Sequence, residues 1–233
     1  IWEKYQDDSK YLLVADVARG DGADFSVFHI IKLGTMEIVA EYQGKPSLDL
    51  YSDILFDAGN EYGKCLLVVE NNGIGISVLE KLILKNYSNL YYSIKGSHEF
   101  IEQHKADYVS NSVPGFTNSS KTRPLIIAKM EEYIRNKLIT VRSSRLFHEF
   151  KTFIWHNGRP QAMRSYHDDL VMALSIACWV RDTAIEVDQR DVAYKKAMLG
   201  GMMMSKNIMN TTIKGQSGYD QSFNDKHRDE IQQ

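Results

Sequence analysis

Three acids stand at the ends of the most apolar stretches of this 233-residue chain. Asp16 closes YLLVAD, Glu70 closes CLLVVE, and Asp169 lies at the head of DDLVMALSIACWV. A run such as Leu66-Leu67-Val68-Val69 reads as a buried strand, and a carboxylate at its end is costly to desolvate unless something compensates. Acids on separate elements, without a Cys or His ligand set, favour a hard oxygen-liganded cation, Mg²⁺ or Mn²⁺, over zinc. In a two-metal site, one ion activates water and the other stabilises the leaving oxygen during in-line attack on a phosphodiester.

Each acid also has a plainer reading. Asp16 precedes the turn-forming string Ala-Arg-Gly-Asp-Gly, where an Asp can simply cap backbone N–H groups. Asp24 enters the next strand and can sit beside Asp16 across a hairpin; Asp21, next to Gly22, reads as a turn residue. Glu70 is the stronger signal, because Glu has low strand propensity and is rarely buried unpaired, although an edge position in solvent would also satisfy it. Ser165-x-x-Asp168 has the form of a capping box, which gives Asp168 a structural role at a helix start. Neighbouring helical residues point about 100° apart, so Asp169 is favoured over Asp168 as a metal ligand. His167 can bind metal, orient water or merely flank the cap.

A second string needs discounting. Gly115 to Thr122 nearly spells a phosphate-binding P-loop, but Ser120 stands where the second Gly is required and no buried strand precedes it. Lys121 and Arg123, in a polar stretch, remain candidate contacts to a nucleic-acid backbone, or a solvated surface pair.

The elements that must carry these residues follow from periodicity and turn chemistry. Strands are expected over Tyr11–Val17, Asp24–Leu33 and Met36–Tyr42, the last two joined at Gly34-Thr35 and so antiparallel. Ser47 is the N-cap of a helix whose apolar positions are Leu50, Ile54 and Leu55, with Gly63 ending it. Cys65–Val69 is a buried strand. Gly73-Ile74-Gly75 opens a helix with Ile76, Leu79, Leu82 and Ile83 on one side, and Leu90–Ile94 is a fifth strand. Residues 96–120 read as a long polar loop. Beyond it come a helix over Pro124–Asn136, a short strand at Leu138–Val141, a helix over Arg145–Phe153, and a hairpin turning at Asn157-Gly158. The helix from Asp168 to Val180, apolar nearly all round, must be buried. This order predicts one α/β domain with a mixed sheet over 1–190. Residues 191–233, rich in Met, Asn, Gly, Ser and Gln, read as a poorly packed tail or docking segment.

Composition excludes little. The chain is 43% hydrophobic and 25% charged, with a net charge of −2. Charge is uneven: residues 81–167 carry 14 Lys and Arg against 6 Asp and Glu, which permits a basic surface beside acidic pockets. Cys65 and Cys178 lie in apolar runs and read as reduced core residues. No run approaches a membrane span, and no signal peptide is visible. The chain begins at Ile1 and reads as a domain excised from something longer.

An Asp in the first strand, a meander, a Glu closing the fourth strand and a late helix opened by Asp resemble the ribonuclease H-like nuclease and integrase superfamily. Three strings, YLLVADVARGDGADFSVFHII, VVENNGIG and SYHDDLVMALSIACW, occur in that order. Together they resemble the C-terminal nuclease domain of the large terminase subunit of tailed phages, T-even-like type, over Tyr11 to Arg181. The resemblance implies a ribonuclease H-like mixed central sheet (antiparallel meander plus parallel strands) flanked by helices. It implies a Mg²⁺- or Mn²⁺-dependent endonuclease, with two ions during catalysis, that cuts concatemeric viral DNA during genome packaging. Asp16, Glu70 and Asp169 would be its metal triad, Asp24 an accessory acid, and Asp168 and His167 adjoining members. The implied partners are double-stranded DNA, the portal protein, the small terminase subunit and an N-terminal ATPase motor that this chain lacks. The implied place of action is the procapsid in the host cytoplasm. The rivals are a Holliday-junction resolvase-like nuclease and a non-catalytic DNA or portal docking module.

Overall fold

The computed structural model describes residues 1–20, 22, 24–96 and 100–183. Asp21 and the 191–233 segment lie outside them. Three strands form an antiparallel meander: β1 (Tyr11–Asp16), β2 (Ser26–Lys32) and β3 (Glu37–Gly44). Helix α1 (Leu48–Glu61) follows, and β4 (Leu66–Val69) then inserts beside β1, parallel to it, giving the order β3-β2-β1-β4. Helix α2 (Gly75–Leu84) leads to β5 (Tyr92–Ile94). The sheet is therefore mixed, as the sequence predicts.

Both faces of this sheet are covered, which is why its strands read as continuous apolar runs rather than alternating ones. Tyr11, Leu13, Ala15, Leu67 and Val69 pack against α1 and α2 through Tyr51, Leu55, Val78, Leu79 and Leu82. Leu12, Val14, Val27 and Val68 face the opposite layer. That layer holds α4 (Thr122–Arg135), α5 (Ser144–Thr152) and α6, helical over residues 169–183. Nearly every residue of α6 from Leu170 to Val180 is buried, in accord with its apolar sequence.

Several expectations need correction. The buried stripe of α1 runs through Tyr51 and Leu55, whereas Leu50 is exposed; the Tyr51 hydroxyl donates to the Val27 carbonyl at 2.6 Å, which draws the ring inward. In α2 the buried set is Val78, Leu79 and Leu82, and Ile76 and Ile83 face outward. The 96–120 stretch is not a plain loop. Among its described residues it forms β6 (Phe100–Ile101), the single-turn α3 (Gln103–Ala106) and β7 (Ser112–Pro114), with β6 and β7 flanking β5 in a small second sheet. Elements of two to four residues leave no periodicity to read. The expected strand at Leu138–Val141 is a single parallel bridge between Thr140 and Glu37, cut short because Ser143 caps α5. Strands β8 (Phe153–His156) and β9 (Arg159–Ala162) form the expected hairpin, with Asn157 and Gly158 at φ 50° and 74°, the left-handed pair of a type I′ turn. Cys65 and Cys178 are free and buried. Among the described residues no helix is long and apolar enough to cross a membrane.

Glycine is required where α2 begins. A Cβ on Gly75 would overlap the backbone carbonyl oxygen of Glu70, so the helix can approach the end of β4 only without a side chain there. Gly75→Ala is expected to lower unfolding stability by ~1–3 kcal/mol, the cost of forcing extra volume into a packed site. Gly34→Ala, where the added atom meets nothing within 4 Å, is expected to stay within about 0.5 kcal/mol. Chemical denaturation of both variants measures the difference, and equal stabilities would refute the close-approach account.

Candidate functional site

Strand parity decides where the acids point. Side chains alternate across a strand, so Asp16 shares a face with Leu12 and Val14, and Glu70 shares one with Val68. Those three apolar residues belong to the layer that contains α6. Register does the rest. Strands β1 and β4 run parallel with Ala15 opposite Val69, and the Glu70 N–H donates to the Ala15 carbonyl at 3.0 Å. Asp16 and Glu70 therefore emerge side by side at the carboxyl ends of two adjacent parallel strands. Asp169 starts the helix that covers this face.

Asp16 feels both of the other carboxylates. Asp16 and Glu70 lie within hydrogen-bonding reach, and Asp169 adds its charge to Asp16. Burial, then repulsion from Glu70 and Asp169, pushes the Asp16 carboxyl well above its ordinary range. Burial also raises Glu70, opposed by hydrogen bonds from Asp16, Asn118 and Asn72 and by the Arg123 charge. Their mutual contact raises Asp16 and lowers Glu70. Asp169 is pushed up to about 6 by burial, while the hydrogen bond from the Phe25 N–H, 3.0 Å from Oδ2, pulls the other way.

Asp24 and His167 extend the group outward. His167 Nδ1 lies 3.7 Å from Asp24 Oδ1 and 3.9 Å from Asp169 Oδ2. One ligand atom each from Asp24, His167 and Asp169 come within 4.8 Å of one another. The nitrogen is buried, without a hydrogen-bond partner among the described residues, and the ring packs edge-on against Phe25. Asp169 belongs to both groupings, which makes it the hinge of the acidic cluster.

The capping box expected at Ser165 and Asp168 does not form. Ser165 has φ 69° and lies ahead of the helix, and Asp168 itself takes the N-cap position, its carbonyl accepting from the Met172 N–H at 2.8 Å. Its side chain turns away, to the Arg123 guanidinium and the Ala162 N–H. Arg123 also donates to the Pro160 carbonyl at 3.0 Å, so this guanidinium ties α4 to the β8–β9 hairpin. Lys121, by contrast, is exposed at the start of α4.

Three further residues shape the site. Asn72 Nδ2 donates to Glu70 Oε1 at 2.9 Å and also to the Asn118 carbonyl. Asn118 arrives from the 96–120 stretch, which rejoins the sheet through a parallel bridge between Phe116 and Glu70. Glu149 of α5 is buried and accepts from the Val171 N–H at 3.0 Å. Burial pushes its carboxyl up to about 7, against the pull of the Val171 hydrogen bond. Its signal in sequence was an acid three residues after Leu146 on the apolar side of an otherwise ordinary helix. Asn118 carries no comparable signal.

Chemically, this is a carboxylate-rich donor set with one imidazole beside it, and the Arg123 charge reaches Glu70. The residues have the chemistry to take a divalent ion: Asp24, His167 and Asp169 each bring a ligand atom within 4.8 Å of the others, and the Asp169 charge reaches Asp16.

No protein-family model matches the sequence. In fold the chain is similar to the magnesium-bound large terminase nuclease of thermophilic phage G20c, at TM-score 0.60 and 20% identity, covering 76% of this chain and 84% of that one. The cobalt-bound form of that nuclease gives TM-score 0.59 at 20% identity, over the same shares of 76% and 84%. The Thermus phage P74-26 large terminase nuclease domain gives 0.57 at 20% identity, over 75% and 81%. Identity at this level speaks for the fold: the mixed sheet flanked by helices is of the ribonuclease H-like kind.

Raised carboxyl pKa values have a definite sign in stability. Between the unfolded and folded pKa of such a group the folded protein holds a proton that the unfolded chain has lost, so stability falls as pH rises through that window. For Asp169 the window runs from about pH 4 to about pH 6. In metal-free protein, Asp169→Asn is expected to shrink the stability loss across this window by ~1–3 kcal/mol. Denaturant unfolding of both proteins at pH 4, 5, 6 and 7 tests it; parallel stability curves would contradict the assignment.

Proposed function

We propose that this chain is a divalent-metal-dependent DNA endonuclease, the nuclease domain of a large terminase subunit. One observation carries the reading: Asp16 and Glu70 emerge from neighbouring parallel strand ends, and Asp169, from the helix over them, adds its charge to Asp16. The likeness in fold to phage terminase nucleases, one of them with bound magnesium, supports it.

In this reading Asp16, Glu70 and Asp169 hold Mg²⁺ or Mn²⁺, two ions in the working enzyme. Metal bound there supplies a more acidic water and charge neutralisation at the leaving oxygen of the phosphodiester. The chain's own residues do the positioning. Asn72 and Asn118 orient the Glu70 carboxylate, and the Phe25 N–H fixes Asp169. His167 offers its Nδ1 between Asp24 and Asp169. Asp168 stands beside the cluster and is held by Arg123. Exposed Lys121 contacts the phosphate backbone, and Arg123 contributes charge from a fixed position. The substrate is concatemeric double-stranded viral DNA, cut with little sequence preference, since among the described residues nothing has the form of a base-reading helix. In the full-length protein an N-terminal ATPase motor precedes this domain. The portal protein and small terminase subunit are its partners at the procapsid in the host cytoplasm.

Asp16→Asn and Asp169→Asn are expected to fold and to lose plasmid nicking in Mg²⁺ or Mn²⁺ by on the order of a hundredfold or more, the several kcal/mol that metal chemistry supplies. EDTA is expected to abolish wild-type cutting. Full activity in either variant sinks the triad. Preferential cutting of four-way junctions over linear DNA would favour a resolvase, and metal-independent DNA binding without cleavage would favour a docking module.

A further inference from the structure

The first turn of α6 presents Asp169, and its free backbone N–H groups need acceptors like those of any helix start. Asp168 sits at the N-cap, where an Asp side chain ordinarily supplies one. Here that side chain is engaged by Arg123 and the Ala162 N–H. The acceptor comes instead from another helix: buried Glu149 of α5 takes the Val171 N–H through Oε2 at 3.0 Å, and it also hydrogen-bonds at the Leu170 backbone. On the other side of the same turn, His29 of β2 lies with Nε2 3.0 Å from the Leu170 carbonyl oxygen. His29 Nδ1 stands 3.6 Å from Glu41 Oε2, and Glu41 Oε1 pairs with Arg145, again on α5, at 2.8 Å. Helix α5 thus grips this turn directly through Glu149 and indirectly through Arg145, Glu41 and His29.

We propose that Glu149 is a positioning residue of the site: by capping α6 from outside, it fixes the turn that aims Asp169 at Asp16 and Glu70. A carboxylate buried under a cluster of carboxylates adds like charge where charge is already crowded, and a solvent-exposed cap would avoid that. What Glu149 gives in return is placement, because an acceptor on a packed helix holds α6 at a fixed height above the sheet. The role of Asp169 as metal ligand rests on the nuclease reading; the capping does not.

Two substitutions test this. Glu149→Met keeps an unbranched side chain of similar length but no acceptor oxygen, and Glu149→Gln keeps an acceptor. The first readout is hydrogen exchange of the Phe25 amide, which is bonded to Asp169 Oδ2 and so reports where Asp169 sits. The second is Mn²⁺ binding, followed by the spin-resonance signal of free Mn²⁺. Glu149→Met is expected to speed Phe25 exchange about tenfold or more and to weaken Mn²⁺ binding by about 10–100-fold, as losing a residue that orients a ligand does. The Leu13 amide in central β1 keeps its protection in both variants. Glu149→Gln is expected to return both readouts to near wild type. A Met variant with wild-type exchange and Mn²⁺ affinity overturns the proposal, as does a Gln variant as impaired as the Met one. If Glu149→Met does not fold, the Gln variant decides: wild-type Phe25 exchange supports the capping role and accelerated exchange refutes it. Wild-type protein that binds no Mn²⁺ and cuts no DNA would refute the nuclease reading, while the Phe25 exchange would still judge Glu149.

Discussion

The rest of this structure depends on holding like charges together at the edge of an apolar core. Taking a carboxylate out of water costs several kcal/mol, and a second and third beside it cost more through repulsion. The fold meets that cost with rigid geometry. Asp16 and Glu70 are pinned by the hydrogen bonds of two parallel strands, and Asp169 by a helix buried along most of its length. Burial and the charges of Glu70 and Asp169 together raise the Asp16 carboxyl well above its ordinary range.

The acids stand out in sequence because they interrupt a pattern. Val68-Val69-Glu70 breaks an apolar run, and so does Ala15-Asp16. The meander and the buried last helix were legible for the same reason, through long runs and clear turn residues. What escaped was short or supplied from far away. The β5–β6–β7 sheet is built from pieces too brief to show a period. The exposed faces of α1 and α2 were misjudged because Leu50, Ile76 and Ile83 look apolar wherever they point. Capping failed as a local inference: Ser165 and Asp168 have the right spacing, yet Arg123 captures the side chain, and the acceptor comes from Glu149, twenty-two positions ahead of Val171. Local rules describe what a residue can do, and tertiary competition decides which option it takes.

Helix α5 gains importance from this competition. It is short, with only Leu146 and Glu149 fully buried, and its sequence suggests a surface helix. Through Glu149 and Arg145 it nevertheless sets the height and tilt of the helix that carries Asp169. Arg123 plays a parallel part between α4, Asp168 and the β8–β9 hairpin. Both pairs cross from one element to another, so the outer helices act as the frame in which the acids are hung.

The line from Arg145 through Glu41 to His29 has a meaning for how such chains diverge. Arg145 is half exposed, and on its surroundings alone it would drift freely. Its loss would strand Glu41 without a counter-charge beside the buried His29, beneath the turn that bears Asp169. Positions 29, 41 and 145 are therefore expected to vary as a set in related sequences, with an apolar or amide residue at one accompanied by neutral residues at the others.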